Sequence, residues 1–266
     1  MNLLTLESRG SIKGGTGYFL RTADDFRILA ADTLLREDSG VTRKLGISVS
    51  SGCQVGCRYC FTNKYGRYRR LSPEELCGQV KFLLANNPSK SCDTLKISLK
   101  QMGDPLLNAR NVVLALRKLA VDFPDAMMVV STAAPRVEED FFGELQRLQD
   151  EGVNIRLQFS CHTTDDNERN YLSPKIRMMR LEEIGDMANH WRGQLVTLNF
   201  VIMEGYTYNV TRLEKIFSPE KVFIKVNYID PNSQTAKFNF HDAESKKTAF
   251  VSALHTGGYQ LAYRHM

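Results

Sequence analysis

Cys53, Cys57 and Cys60 fall within eight residues, Cys53-Gln54-Val55-Gly56-Cys57-Arg58-Tyr59-Cys60. This Cys-x3-Cys-x2-Cys spacing delivers three thiolates from one short loop. Structural zinc closes its tetrahedron with four protein ligands, and iron–sulfur clusters ordinarily take four cysteines. Three thiolates on a four-iron cluster leave one iron open to bind a small molecule, and an open iron is a position for chemistry. A zinc site would need a fourth ligand, and neither Asn63 nor Lys64 is a good one. A disulfide with a spare thiol does not suit a chain with no secretory signal. Cys77, Cys92 and Cys161 are scattered and form no second cluster motif.

Other polar residues fall at the ends of apolar runs. Gln101-Met102-Gly103-Asp104-Pro105-Leu106-Leu107-Asn108 follows one such run. A glycine beside an acid there suits a cradle for an ammonium group, with Gly103 allowing close approach and Asp104 offering an acceptor. Taken alone, the segment could equally be a turn. Ser131 and Ser160 could be strand-end residues bonding their own backbone. His162 alone reads more readily as a satisfied structural histidine. Beyond the cysteines, Lys64, Arg67, Arg69 and Arg70 interleave with Tyr65 and Tyr68, a cluster that could grip phosphates or carboxylates or remain a solvated loop.

The elements that must position these residues follow a βα pattern. Short β-like runs at 46–51, 94–99, 127–132, 154–160, 194–203 and 221–229 are rich in Val, Ile, Leu and Phe, as in strands covered on both faces. Helical runs intervene at 109–123, 137–151 and 181–191. The clearest helix starts at Ser72-Pro73-Glu74-Glu75, with an N-cap serine, proline in the first turn and glutamate three residues after the cap. The expected fold class is therefore α/β with a parallel sheet. Residues 1–45 read as a small N-terminal β-hairpin extension pairing 18–22 with 26–30. Residues 46–232 read as the core, and 233–266 as a C-terminal extension with a helix at 246–254 and a strand at 260–264. With 266 residues and 42% hydrophobic content, the chain can bury a full core. Thirty-five Lys and Arg against 30 Asp and Glu give a net charge of +5, which permits nucleic-acid binding without arguing for it. No stretch approaches the length of a membrane span, and a cytoplasmic location with no membrane partner is expected.

The cysteine spacing, with Tyr59 before the last cysteine, resembles the radical S-adenosylmethionine (SAM) superfamily. That resemblance implies a partial (β/α)6 barrel, a 4Fe–4S cluster held by Cys53, Cys57 and Cys60, and SAM chelated on the open iron. It implies reductive cleavage of SAM to methionine and a 5'-deoxyadenosyl radical, with Tyr59 packed near the adenine. Within the superfamily, the 101–108 segment is similar to the Gly-Met-Gly-Glu-Pro-Leu-Leu-Asn of the RlmN/Cfr-type RNA adenine methyltransferases. Val130-Ser131-Thr132, Phe159-Ser160-Cys161-His162 and Val226-Asn227-Tyr228-Ile229 match further segments of that family in order. The resemblance thus assigns Gly103 and Asp104 to the SAM amino group, and Ser131, Ser160, His162 and Asn227 to its other polar edges.

The family's methylation also uses two cysteines outside the cluster, and this chain departs there. The upstream position falls in Lys44-Leu45-Gly46-Ile47-Ser48. The stretch Gly257-Gly258-Tyr259-Gln260-Leu261-Ala262-Tyr263-Arg264 resembles the approach to the second cysteine, and the sequence stops at Met266. The family's N-terminal RNA-binding domain has no counterpart in the sequence. The expectation is hydrogen abstraction from a small substrate, a nucleotide or amino-acid derivative, with an electron donor such as flavodoxin or ferredoxin. RNA adenine methylation, by a chain truncated or completed by a partner, is the second reading, with RNA as the less favoured partner. A non-catalytic SAM or nucleotide sensor is the third. Catalytic candidates are weak. Asp32 lies about where the family has a proton-accepting Glu but reads as an exposed hairpin residue, and Cys161 reads as packing near the cofactor. Tyr206, Tyr208 and Tyr228 could line a pocket or pack in the core.

Overall fold

The computed structural model describes residues 3–263 apart from 39, 66 and 89. Its residues group into two compact units. The first holds residues up to Gln54, Tyr65–Ser131 and Glu139–Ile155, and the second holds Val55–Lys64, Thr132–Glu138 and the chain from Arg156 on.

The first unit opens with a four-stranded antiparallel meander, β1 (Leu4–Ile12), β2 (Gly15–Thr22), β3 (Arg27–Glu37) and β4 (Gly40–Ile47). The expected pairing of 18–22 with 26–30 is there, inside longer strands. The run expected as one strand over 46–51 is instead the end of β4 and a two-residue β5 (Ser50–Ser51), which pairs with β6 (Arg69–Arg70). The break at Ser48 has a cause: its main-chain N–H and C=O are taken by the Gln79 side-chain amide, which pulls the strand off the ladder. Helix α1 (Pro73–Asn86) carries the capping box read from Ser72 and Glu75, and buries Leu76, Val80 and Leu83. β7 (Thr94–Leu99) then pairs in parallel with β4, so β4 carries an antiparallel neighbour on one edge and a parallel one on the other. α2 (Ala109–Asp122) and β8 (Met127–Thr132) follow, β8 pairing in parallel with β7. α3 (Phe141–Asp150) begins four residues later than its pattern suggested, because Asp140 caps it by accepting from Gly143 N–H at 3.1 Å.

The second unit is built on β9 (Ile155–Ser160), α4 (Asp166–Leu172), α5 (Leu181–His190), β10 (Val196–Val201), α6 (Val210–Ile216), β11 (Val222–Asn227), α7 (Ser233–Lys237), α8 (Glu244–Thr256) and β12 (Gln260–Tyr263). β9, β10, β11 and β12 pair in parallel in that order. Arg264, expected in the last strand, lies outside the described residues. β9 and β11 alternate buried with partly exposed positions, and both end on a partly exposed polar residue, Ser160 and Asn227. The architecture is α/β with parallel strands, as expected. No helix among the described residues is long and apolar enough to cross a membrane.

Candidate cofactor site

In the first unit, the root of the cysteine loop is tied to the Gln101–Asp104 segment. Met102 C=O accepts from Val49 and Ser50 N–H at 2.8 and 3.2 Å, and Ser48 Oγ accepts from Met102 N–H at 3.2 Å. Gly52 N–H points at the Met102 sulfur at 2.9 Å. Asn108 Nδ2 donates to Val49 and Leu71 C=O, both at 2.8 Å. Cys53 follows this root and is partly exposed. Gly103 adopts φ +91°, and a Cβ there would lie 2.1 Å from Ser50 Oγ, so only glycine fits. Asp104 is buried, and one of its carboxylate oxygens accepts from Leu106 N–H at 3.1 Å, capping the 3-10 turn Pro105–Asn108. Ser131 is partly exposed one residue before the end of β8.

In the second unit, Cys57 and Cys60 are partly exposed. Cys57 Sγ lies 3.2 Å from Ser173 Oγ, and Cys60 Sγ lies 3.1 Å from Thr62 Oγ1. Arg58 N–H donates to Leu172 C=O and Cys60 N–H to Cys57 C=O, which fixes the turn between the two thiols. Tyr59 packs against the buried Leu172, Met203 and Ile229, and meets His162 edge-on with ring centroids 4.7 Å apart. Asn232 Nδ2 donates to Tyr59 C=O at 3.2 Å. His162 is not a satisfied structural histidine: it is buried with φ +62°, and its Nδ1 has no hydrogen-bond partner. Burial holds its pKa down at about 3, so the ring is neutral.

One further expectation is corrected. Asp32 is not an exposed hairpin residue. It is fully buried, with Arg43 donating to both carboxylate oxygens at 3.1 and 2.9 Å and Lys90 Nζ at 3.1 Å. Both of its carboxylate oxygens are engaged by these cations. Cys161 is buried, and burial pushes its thiol up to about 11, which leaves it protonated and unsuited to nucleophilic work.

The basic run past the cysteines is not a single phosphate grip. Arg69 is bonded to Glu75 and Asp24, Arg67 lies over Phe26, and Lys64 lies over Phe61. Tyr208 OH is committed to backbone, accepting from Met203 N–H at 2.7 Å and donating to Val201 C=O. Tyr228 lies under Lys247 Nζ, and Tyr206 packs on Phe240. Sequence reasoning passed over Ser173, Thr62 and Met102. Thr62 could have been found from its place two residues after Cys60, whereas Ser173 is 116 residues from Cys57 and carries no local signal.

The residues suit the cofactors that the resemblance implies. Among the described residues, no three His, Cys, Asp or Glu side chains gather as they would around one metal ion. A polynuclear cluster does not require this, because each thiolate takes a different iron. Cys57 and Cys60 each stand beside a hydroxyl. Gly103 provides a close backbone approach, and the unpartnered His162 nitrogen provides a buried polar atom ready for a ligand.

A family model described as the radical SAM superfamily matches residues 47–213. The chain belongs to this superfamily, whose members use a 4Fe–4S cluster and SAM. It is similar to the dual-specificity RNA methyltransferase RlmN of Syntrophotalea carbinolica, 28% identical over 245 residues, covering 88% of this chain and 61% of that one. The chain spans about half the length of the curated relatives it matches. Among solved structures it is similar to a radical SAM methyltransferase from Sphaerobacter thermophilus, with TM-score 0.80 and 21% identity over 99% of this chain and 77% of that one. It is also similar to Streptococcus suis SuiB bound to S-adenosylmethionine, with TM-score 0.61 and 14% identity over 84% of this chain and 50% of that one. These likenesses bear out the partial radical SAM barrel expected as the fold.

Proposed function

We propose that this chain is a radical SAM enzyme in which Cys53, Cys57 and Cys60 ligate the cluster and leave one iron for SAM. The observation that carries the reading is the Cys-x3-Cys-x2-Cys run Cys53–Cys60, three cysteines in one loop with no fourth beside them, inside the matched span 47–213. When bound, the reduced cluster supplies the electron that splits SAM into methionine and a 5'-deoxyadenosyl radical. The protein's own part is binding, orientation and exclusion of water. The left-handed backbone at Gly103 lets a ligand ammonium approach the main chain, and the Asp104 carboxylate favours that cation. Ser131, Ser160 and Asn227 offer hydroxyl and amide groups to the carboxylate, ribose and adenine edges. His162, kept neutral by burial, offers its free Nδ1 as acceptor or donor according to tautomer. The Ser173 and Thr62 hydroxyls donate toward Cys57 and Cys60 and stabilise their thiolates.

The favoured outcome is hydrogen abstraction from a small substrate, a nucleotide or amino-acid derivative. Ser48 stands in the stretch where the resemblance puts the upstream methylation cysteine, and its hydroxyl is committed to Leu29 C=O at 2.5 Å. Cys77 and Cys161 are both buried with thiol pKa values raised by desolvation. The second reading, RNA adenine methylation, is favoured by the similarity to RlmN proteins. Reconstituted protein given reductant and methyl-labelled SAM should form 5'-deoxyadenosine without labelling RNA adenine. Label in RNA would establish the second reading instead, and absence of 5'-deoxyadenosine under strong reductant would sink both.

A further inference from the structure

One short segment grips the cysteine loop at four points. Leu172 C=O accepts from Arg58 N–H at 2.8 Å, and Ser173 Oγ lies 3.2 Å from Cys57 Sγ. The Arg58 guanidinium stands 4.1 Å from the centroid of the Tyr171 ring. Lys175 lays its stem over Gly56, where φ is +68° and a Cβ would come 2.4 Å from Lys175 Cδ. Residues 171–175 thus bring a ring, a hydroxyl and a lysine stem to Gly56-Cys57-Arg58. Phe238, the C-terminal cap of α7, lies against the same guanidinium at 5.1 Å. Arg58 Nε is buried without a hydrogen-bond partner. Among the described residues, neither Arg58 nor Lys175 forms an ion pair with an Asp or Glu. Two acids of α4 are committed elsewhere, Asp166 to Arg169 and Arg212, and Glu168 to the Thr163 and Thr207 hydroxyls. The loop therefore carries positive charge that no carboxylate cancels. A guanidinium stacked on rings is also partly shut off from water, so its field is screened less than that of an exposed cation.

We propose that Arg58, with Lys175 as a weaker second charge, raises the reduction potential of the cluster held by Cys53, Cys57 and Cys60. The proposal rests on the reading of those cysteines as cluster ligands. On reduction the cluster gains one electron from a one-electron reductant, with no bond made or broken and no proton moved. Three thiolates already make the site anionic, and the added electron makes it more so. A fixed cation on the ligand loop favours the more negative state, as local charge and hydrogen bonds to sulfur do in such clusters generally. The hydroxyls beside Cys57 and Cys60 act in the same direction as dipoles. Arg58 acts as a full charge, one residue from a ligand. Lys175 is exposed, so solvent and salt weaken its share.

The test follows cluster reduction in the reconstituted full chain without SAM, by electron paramagnetic resonance during a mediated dithionite titration. Arg58→Gln removes the charge and should lower the reduction equilibrium constant about tenfold, a shift of about 59 mV for one electron. Arg58→Lys restores the charge and should stay within about twofold of the parent. Lys175→Glu should shift the equilibrium the same way by about threefold at ~0.05 M salt, and by less at ~0.5 M. Lys221→Gln removes an exposed cation at the opposite end of β11 from Asn227 and should match the parent. An unmoved potential in iron-loaded Arg58→Gln would overturn the proposal. So would an Arg58→Lys potential as low as that of Arg58→Gln, which would make the side chain a packing staple only. If Arg58→Gln holds no iron, Lys175→Glu decides, since an exposed lysine is replaced without loss of the fold. An unmoved potential there would overturn the proposal. A parent chain that gains no 4Fe–4S absorbance on reconstitution would refute the cluster reading, and this proposal with it.

Discussion

Cys161 is sealed beside His162, and its thiol pKa of about 11 stands above its ordinary 9.0. Below pH ~9 the folded and unfolded chains both keep this proton. Between pH ~9 and ~11 the unfolded chain releases it first, so stability falls as pH rises, by on the order of 2–3 kcal/mol from this group alone. Half-buried Tyr206 and buried Tyr259, both raised to about 12, extend the loss at higher pH. Urea titrations across that range should show the decline. Cys161→Ala should start less stable, because of the cavity it leaves, but fall less steeply. Gly103 gives a sharper residue-level test. Gly103→Ala forces a Cβ into Ser50 Oγ and strains a left-handed backbone. It should cost about 1–3 kcal/mol and lower the iron retained after reconstitution, as read from the visible absorbance of the cluster. An unchanged absorbance with normal folding would argue against close packing between this glycine and the loop root.

Between elements, the buried Asp32–Arg43–Lys90 group joins β3 and β4 to the segment that follows α1. Removing one member strands a desolvated charge, so Asp32→Ala should destabilise by about 3–5 kcal/mol. Molecules that still fold should form 5'-deoxyadenosine at the parent rate, and a rate collapse in folded protein would restore Asp32 as a catalytic residue. Ser72→Ala removes half of the α1 capping box and should cost about 1 kcal/mol in urea denaturation. These two sites also show what the sequence could reveal. Ser72-Pro73-Glu74-Glu75 is a local pattern whose meaning needs no distant partner, so α1 was legible, as were the apolar runs that became β7 and β8. Thr42-Arg43-Lys44 places two adjacent cations in β4, a composition that does not mark a core strand. Arg43 is tolerated at 4% exposure only because Asp32, eleven residues earlier, faces it across the sheet. The candidate site divides in the same way. Its cysteines and strand-end residues could be picked out by spacing and order, while Ser173 beside Cys57, Met102 beneath Gly52 and the orphaned nitrogen of His162 are products of the fold.

For the whole molecule, the excess of 35 basic over 30 acidic residues is too small to select polyanions by itself. Specificity then depends on where charge is placed rather than on the net value. Chelating the iron from reconstituted protein should abolish 5'-deoxyadenosine formation and leave the circular dichroism and melting of the chain largely intact. Cooperative unfolding on chelation would contradict this. The expectation follows from the loop root at Ser48–Gly52, which is held by hydrogen bonds to Met102, Gln79 and Asn108. Zinc fingers, by contrast, fold only as they bind their ion. Here much of the ordering entropy of Cys53 is met when the polypeptide folds, so the loop root acts as a pre-set chelator arm. Iron capture becomes a loading step on a standing frame, and a cluster lost to oxygen leaves behind a scaffold that can be refilled.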